Sequence, residues 1–135
     1  MLVDSHCHIN FPELAGKLDE MLALMRENQV SHALCVSVTL EDFPQVRGLA
    51  ERHANIYASV GVHPDYPDVP VVTEKELIGL AAHPKVIAIG ETGLDYYRIK
   101  GELEWQRERF RTHIRAARGC GKPLIIHMRE TGADT

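Results

Sequence analysis

The sequence is poor in cysteine, in surplus positive charge and in long apolar runs, and each shortage removes a class of protein. Three cysteines, at positions 7, 35 and 120, form no paired framework. Two of them sit in apolar, strand-like stretches where buried reduced thiols are common. A net charge of −4 leaves no bulk basic field to hold a polyanion, so any nucleic-acid contact has to be local and metal-assisted. No apolar run approaches the length of a membrane span. No basic segment precedes a hydrophobic stretch at the N-terminus, as a secretory signal requires. Low-complexity tracts, internal repeats and linkers are also missing. What remains is 135 residues, 44% hydrophobic and 25% charged. That is one ordinary globular domain, expected in a reducing cytoplasm with no membrane partner.

Short apolar runs alternate with helical patterns along the whole chain. Leu2 and Val3 open the first strand, which ends in His6-Cys7-His8. Leu14, Leu18, Met21, Leu22 and Met25 recur at helical spacing and predict a helix over about 13–28, ended near Asn28. Residues 33–38 read as a second strand, and a helix near 41–53 carries Pro44 in its first turn, where proline is tolerated. Residues 56–62 form a third strand leading into His63-Pro64. Thr73 and Glu76 make a capping box for a third helix that stops before Pro84. Residues 86–90 are a fourth strand delivering Glu91, and a helix over about 102–118 follows, closed by Gly119 and Gly121. Residues 123–126 are a fifth strand delivering His127, and Thr131–Thr135 reads as the start of another helix.

Strands alternating with helices predict a parallel sheet, and strands written as unbroken apolar runs predict burial on both faces. An open doubly wound sheet and a (β/α)8 barrel both fit that series. The polar residues favour the barrel. His6, His8, His63, Glu91 and His127 all fall at or just past a strand's carboxyl end. In a barrel those ends converge on one mouth, where the chemistry sits. A complete barrel needs about 250 residues, so residues 1–135 are expected to be the N-terminal part of a single barrel, with about five parallel strands and four helices.

Two histidines at i and i+2 on a strand point the same way, with Cys7 pointing the other. His6 and His8 can therefore supply half of a divalent metal site. If the reading is right, the donors of His6, His8, Glu91 and His127 should lie within roughly 3–8 Å of one another. His63 suits a phosphate contact or a role behind a ligand, and equally a structural loop. Arg129 shares the face of His127 if the strand continues, and its fork suits a phosphate oxygen or a loop carboxylate. Asp4 is placed to orient a ligand imidazole or to sit buried at the barrel base. Asp95 and Tyr96 follow Glu91 over the mouth, within reach of substrate. His32, His53, His83 and His113 carry no assigned role. Arg107, Arg111, Arg115 and Arg118, interleaved with Glu104 and Glu108, read as an ion-paired solvent face rather than a basic nucleic-acid patch.

Val3-Asp4-Ser5-His6-Cys7-His8, Gly61-Val62-His63-Pro64, Gly90-Glu91-Thr92-Gly93-Leu94-Asp95-Tyr96 and Ile126-His127-Met128-Arg129 occur in that order. Together they resemble the TatD family of metal-dependent deoxyribonucleases, amidohydrolase-like barrels, from residue 1 to residue 135. The resemblance implies a (β/α)8 barrel with two divalent metals that hydrolyses DNA phosphodiesters. It matches His6 and His8 to first-metal ligands, Glu91 to the carboxylate bridging both metals, and His127 to a second-metal ligand. A further His and Asp of the family's pattern come from later strands, beyond these residues.

The residue types suit that chemistry. A bound divalent ion lowers the pKa of its water toward 7, and two ions about 3.5–4 Å apart can hold nucleophile and substrate oxygen together. A carboxylate has two oxygens, so Glu91 can bridge two ions where a histidine cannot. The mixed N and O set suits zinc, and carboxylate-rich versions admit magnesium or manganese. The same ligands would also serve a barrel hydrolase acting on an amide or aminoacyl ester. A third reading is a truncated product without catalysis. Five strands leave two sheet edges and apolar side chains such as Val3, Val60 or Ile125 without partners. The isolated chain is therefore expected to self-associate and to be inactive.

Overall fold

The five apolar runs become five parallel strands, wound with helices in strict alternation. A computed structural model describes all residues, 1–135. The elements are β1 (Leu2–Cys7), α1 (Pro12–Ala15), α2 (Leu18–Glu27), β2 (Val30–Cys35), α3 (Phe43–Arg52), β3 (Ile56–Val60), α4 (Glu74–Ala81), β4 (Val86–Asp95), α5 (Glu104–Cys120) and β5 (Leu124–Arg129). The sheet order is β1-β2-β3-β4-β5, every pair parallel. Each strand lies beside its predecessor, so every crossover steps the same way and all helices fall on one face. A doubly wound sheet would reverse its order part-way. The architecture is a curled half-barrel.

The core fills the layer between sheet and helices. Phe43, Val46 and Leu49 of α3 and Leu77 and Ala81 of α4 pack with Ile56, Ala58, Val60, Val86 and Ile89 of the strands. Burying each of the larger side chains contributes about 1.5–3 kcal/mol. Cys7 packs against this core, while His6 and His8 lie on the opposite, more open side. No helix is long and apolar enough to cross a membrane.

Several boundaries depart from the sequence reading. There are five helices, because the stretch expected as one helix over about 13–28 divides at Gly16-Lys17 into α1 and α2. Pro12 starts the short first piece, which buries nothing, and Gly16 at its end is a poor helix former. β2 runs earlier than expected, over Val30–Cys35. β4 and β5 run further, to Asp95 and Arg129, because they stay paired through Gly93↔His127 and Asp95↔Arg129. The capping box forms as expected: the Thr73 hydroxyl accepts from the Glu76 amide at 3.2 Å, and Glu76 accepts from the Thr73 amide at 2.8 Å. Residues 131–135 make a single turn, closed by the Thr135 amide on the Thr131 carbonyl. Of the apolar residues expected to lack partners, Val3 is 63% exposed, but Val60 is fully buried in the core. On β5, Ile126 and Met128 take the exposed positions and Ile125 is half-buried.

Candidate metal centre

Glu91 projects from the middle of β4 into a ring of histidines. Its Oε2 lies 3.2 Å from Nε2 of His6 and 3.8 Å from Nε2 of His8, both supplied by the end of β1. Its Oε1 lies 3.3 Å from Nδ1 of His127 on β5 and 3.9 Å from Nε2 of His63, just past β3. Each oxygen thus faces its own pair of imidazoles. Within each of the two triads, His6–His8–Glu91 and His63–Glu91–His127, the donor atoms lie within 4.8 Å of one another. His6, His8 and His127 thus all lie around the one Glu91 carboxylate.

The second nitrogen of each ring sets what the first can do. His8 Nδ1–H donates to the Val36 carbonyl at 3.0 Å, leaving Nε2 a lone pair for the site. His127 Nε2–H donates to Asp95 Oδ2 at 2.9 Å, leaving Nδ1 a lone pair toward Glu91. His63 is arranged the other way. Its Nδ1 accepts from the Asp65 amide at 3.1 Å, so the neutral ring carries its proton on Nε2, 3.1 Å from Nδ1 of His127. Burial lowers the His63 pKa, with Glu91 opposing, so the ring is neutral near pH 7. Asp95 is 1% exposed. Burial pushes its carboxyl up, but hydrogen bonds from the Arg98 amide, His127 and the Tyr97 amide outweigh this and hold it below the usual carboxylate range.

Close strand approach makes this convergence possible. Gly93 has φ +141°, and a Cβ there would run into the His127 carbonyl. Gly90 has the same φ, and its Cβ would stand 2.6 Å from the Ile125 carbonyl oxygen. The two glycines flank Glu91-Thr92 and let β4 lie directly against β5, which brings Glu91 beside His127. The Glu91 amide donates to the Ser37 carbonyl at 2.9 Å, tying the carboxylate's own backbone to the segment just past β2.

A cleft of about 230 Å³ opens over His8, Glu91 and His127, with His6 outside its lining. Its lining includes His8, Phe11, His63, Asp65, Glu91, Asp95, Arg98, His127 and Arg129. Phe11 stacks on His8 with centroids 4.6 Å apart. Arg129 makes no ion pair; its guanidinium lies over the Tyr97 ring at 3.8 Å. Arg98 pairs with Asp65 at 3.2 Å. Tyr96 does not line the cleft. Its hydroxyl donates to Asp134 at 2.7 Å and accepts from Arg107 at 3.0 Å, because consecutive residues turn opposite ways and Tyr97 takes the place beside Arg129. Asp4 accepts from the His6 amide at 3.1 Å, so it fixes the backbone of that histidine rather than its ring.

A family model described as TatD related DNase matches residues 3–135. The chain belongs to the TatD family. It is 39% identical over 137 residues to the uncharacterized metal-dependent hydrolase YcfH of Escherichia coli K12, covering 99% of this chain and 51% of that protein. It is 35% identical over 142 residues to the uncharacterized metal-dependent hydrolase TatD of Mycobacterium tuberculosis, covering 98% and 53%. Among solved structures it resembles the TatD homologue YjjV of Escherichia coli, with TM-score 0.87 and 28% identity over 98% of this chain and 52% of that one. The chain spans about half the length of these relatives. The fold is therefore that of about half of a TatD barrel.

The TatD site fits divalent cations by its own chemistry. Glu91 is 7% exposed, yet all its ion-pair partners are histidines, with no lysine or arginine among them. A buried carboxylate needs a compensating cation, and the lone pairs of His8 and His127 point at the places where one would lie.

Sequence reasoning missed the work of α5. Its outer face is ion-paired at Arg107, Arg111 and Arg115, which meet Glu104 and Glu108, while Arg118 makes no ion pair. On its inner face, however, Gln106 and His113 are completely buried. A polar residue among the apolar positions of a helix otherwise read as solvent-facing was the available signal.

Proposed function

We propose that the chain carries most of the catalytic site of a DNA phosphodiesterase, with two divalent ions held by His6, His8, Glu91 and His127. One observation carries the reading: the two oxygens of Glu91 face two separate histidine pairs. Ions bound there would lower the pKa of water and offset charge on a phosphate. Glu91 supplies negative charge to both positions at once. His6 and His8 supply neutral nitrogen donors on one side, and His127, turned by Asp95, supplies one on the other. His63 plays a different part: its Nε2–H, which lies 3.1 Å from the His127 lone pair, becomes a donor suited to a phosphate oxygen once that lone pair is taken by an ion. Arg98 and Arg129 line the same cleft, with forked donors matching phosphate geometry. Asp95, expected at the substrate, acts instead through His127.

Phosphate is favoured over an amide or aminoacyl ester because two guanidinium groups and an imidazole N–H converge beside the ion positions. A neutral carbonyl would leave the Arg129 guanidinium, which makes no ion pair, without an anionic partner. The description of the matching family model as DNase points the same way. Zinc suits the nitrogen-rich set, and manganese or magnesium would be drawn by the shared carboxylate.

The test is to assay a protein carrying this chain on single-stranded DNA and on small amides, with each of the three metals added. Metal-dependent cleavage of DNA alone supports the reading. Amide or ester hydrolysis without DNA cleavage contradicts it.

A further inference from the structure

We infer that Gln106, Arg109 and His113 of α5 form a positioning clamp for one half of the metal centre, the half built from His63 and His127. Their spacing, i, i+3 and i+7, places them along one helix face. That face would ordinarily be apolar. Here each polar group is spent on backbone of the two loops that follow β3 and β4.

His113 takes the first loop at its start. Its Nδ1–H donates to the Arg109 carbonyl at 2.8 Å, which leaves Nε2 to accept from the Val62 amide at 3.0 Å. Arg109 holds the same loop from beyond His63, donating to the Tyr66 carbonyl at 2.7 Å and the His63 carbonyl at 3.4 Å. Gln106 joins the first loop to the second. Its amide nitrogen donates to the Pro64 and Asp95 carbonyls at 3.3 Å, and its oxygen accepts from the Asp95 amide at 3.0 Å.

The three side chains thus grip the backbone on both sides of His63 and at Asp95 itself. Asp95 in turn fixes His127. None of the three bonds to His6, His8 or their strand. The helix therefore sets where the His63 N–H and the His127 lone pair stand, and the His6–His8 pair is set independently. The inference uses the two-ion reading only for its second test arm.

The first arm needs no metal. Long-range 1H–15N spectra of the metal-free chain report the tautomer of each imidazole. Gln106→Met keeps the side-chain volume and removes all three bonds. It should convert His127 from a single Nε2–H tautomer to a mixture, with the His6 and His8 signals unmoved. Arg109→Met should shift and broaden the His63 signals, and Arg109→Lys should restore them. Arg109 is partly exposed, so its variants fold even where Gln106→Met does not. In the second arm, cobalt titration of Gln106→Met should weaken the second equivalent roughly tenfold or more and leave the first unchanged. A chain that binds only one cobalt in the wild type contradicts the two-ion reading, and the tautomer arm then decides the clamp alone. Folded variants whose His63 and His127 signals stay put, or whose four imidazoles all move together, overturn the clamp.

Discussion

Asp95 Oδ2 stands 2.9 Å from Nε2 of His127, and this bond decides which nitrogen of the ring faces Glu91. The other Asp95 oxygen accepts from the Tyr97 and Arg98 amides at 3.0 and 2.8 Å, so the carboxylate is locked by its own loop and cannot swing away. His127 is thereby held with its lone pair inward before any ion arrives.

Asp95→Asn should undo this arrangement. An amide nitrogen in place of Oδ2 would force His127 to accept there and put its proton on Nδ1, toward Glu91. Loss of such a partner costs about 10–100-fold in metal affinity. Calorimetric titration should show that loss at the second ion only, with the ion at His6 and His8 binding as before. Equal weakening of both would show that Asp95 acts on the fold and not on His127.

His63→Gln should separate substrate contact from ion binding. His63 turns an N–H and not a lone pair toward His127, so the variant should keep its full metal content by elemental analysis. Its phosphodiesterase activity should fall on the order of 10²-fold, as expected for one lost donor to a phosphate. A variant that loses an ion would make His63 a ligand.

The buried ring of His113 predicts a pH dependence of stability. Burial holds its pKa down to about 4, against an ordinary 6.5. The Val62 amide already occupies Nε2 and the Arg109 guanidinium adds like charge, while the Arg109 carbonyl, which accepts from Nδ1–H, only partly opposes the shift. The unfolded chain binds the extra proton between those two values, so folding stability rises with pH across the window. The contribution is complete above pH 6.5 and is lost on descent toward pH 4, by about 3 kcal/mol at most. Urea midpoints from pH 4.5 to 7.5 should show this slope, and His113→Gln should flatten it. An unchanged slope in the variant would place the titrating group elsewhere.

Val3 on β1 and Ile126 and Met128 on β5 lie exposed on the two outermost strands. Open edges bearing apolar side chains favour association. Sedimentation of the 135-residue chain should give dimers or larger species, shifting toward monomer when Ile126 and Met128 are replaced by lysine. A wild-type monomer at all concentrations would contradict this.

How much of this was legible in the sequence follows from which residues carry local signals. Glu91 and His127 each follow an apolar run, and His6 and His8 share a strand face by simple alternation, so their convergence could be read directly. The break at Gly16 within the first helical pattern was hidden because Leu14 and Leu18 keep the helical period across it. Tyr96 and Tyr97 are adjacent, and only the course of the chain after β4 decides which one turns to Arg129. Gln106 and His113 sit in a helix crowded with arginine and glutamate, where a polar residue reads as surface. Their partners are backbone groups of loops 11 to 51 residues away in sequence, a relationship that no local pattern records.

The central claim is that Glu91 is shared between two ions. Electron paramagnetic resonance of the manganese-saturated protein tests it most directly. Two ions bridged by one carboxylate, about 3.5–4 Å apart, should give a spin-coupled spectrum in the wild type, and Glu91→Ala should abolish the coupling. An uncoupled six-line signal at saturation in the wild type, or coupling that survives Glu91→Ala, would contradict the account.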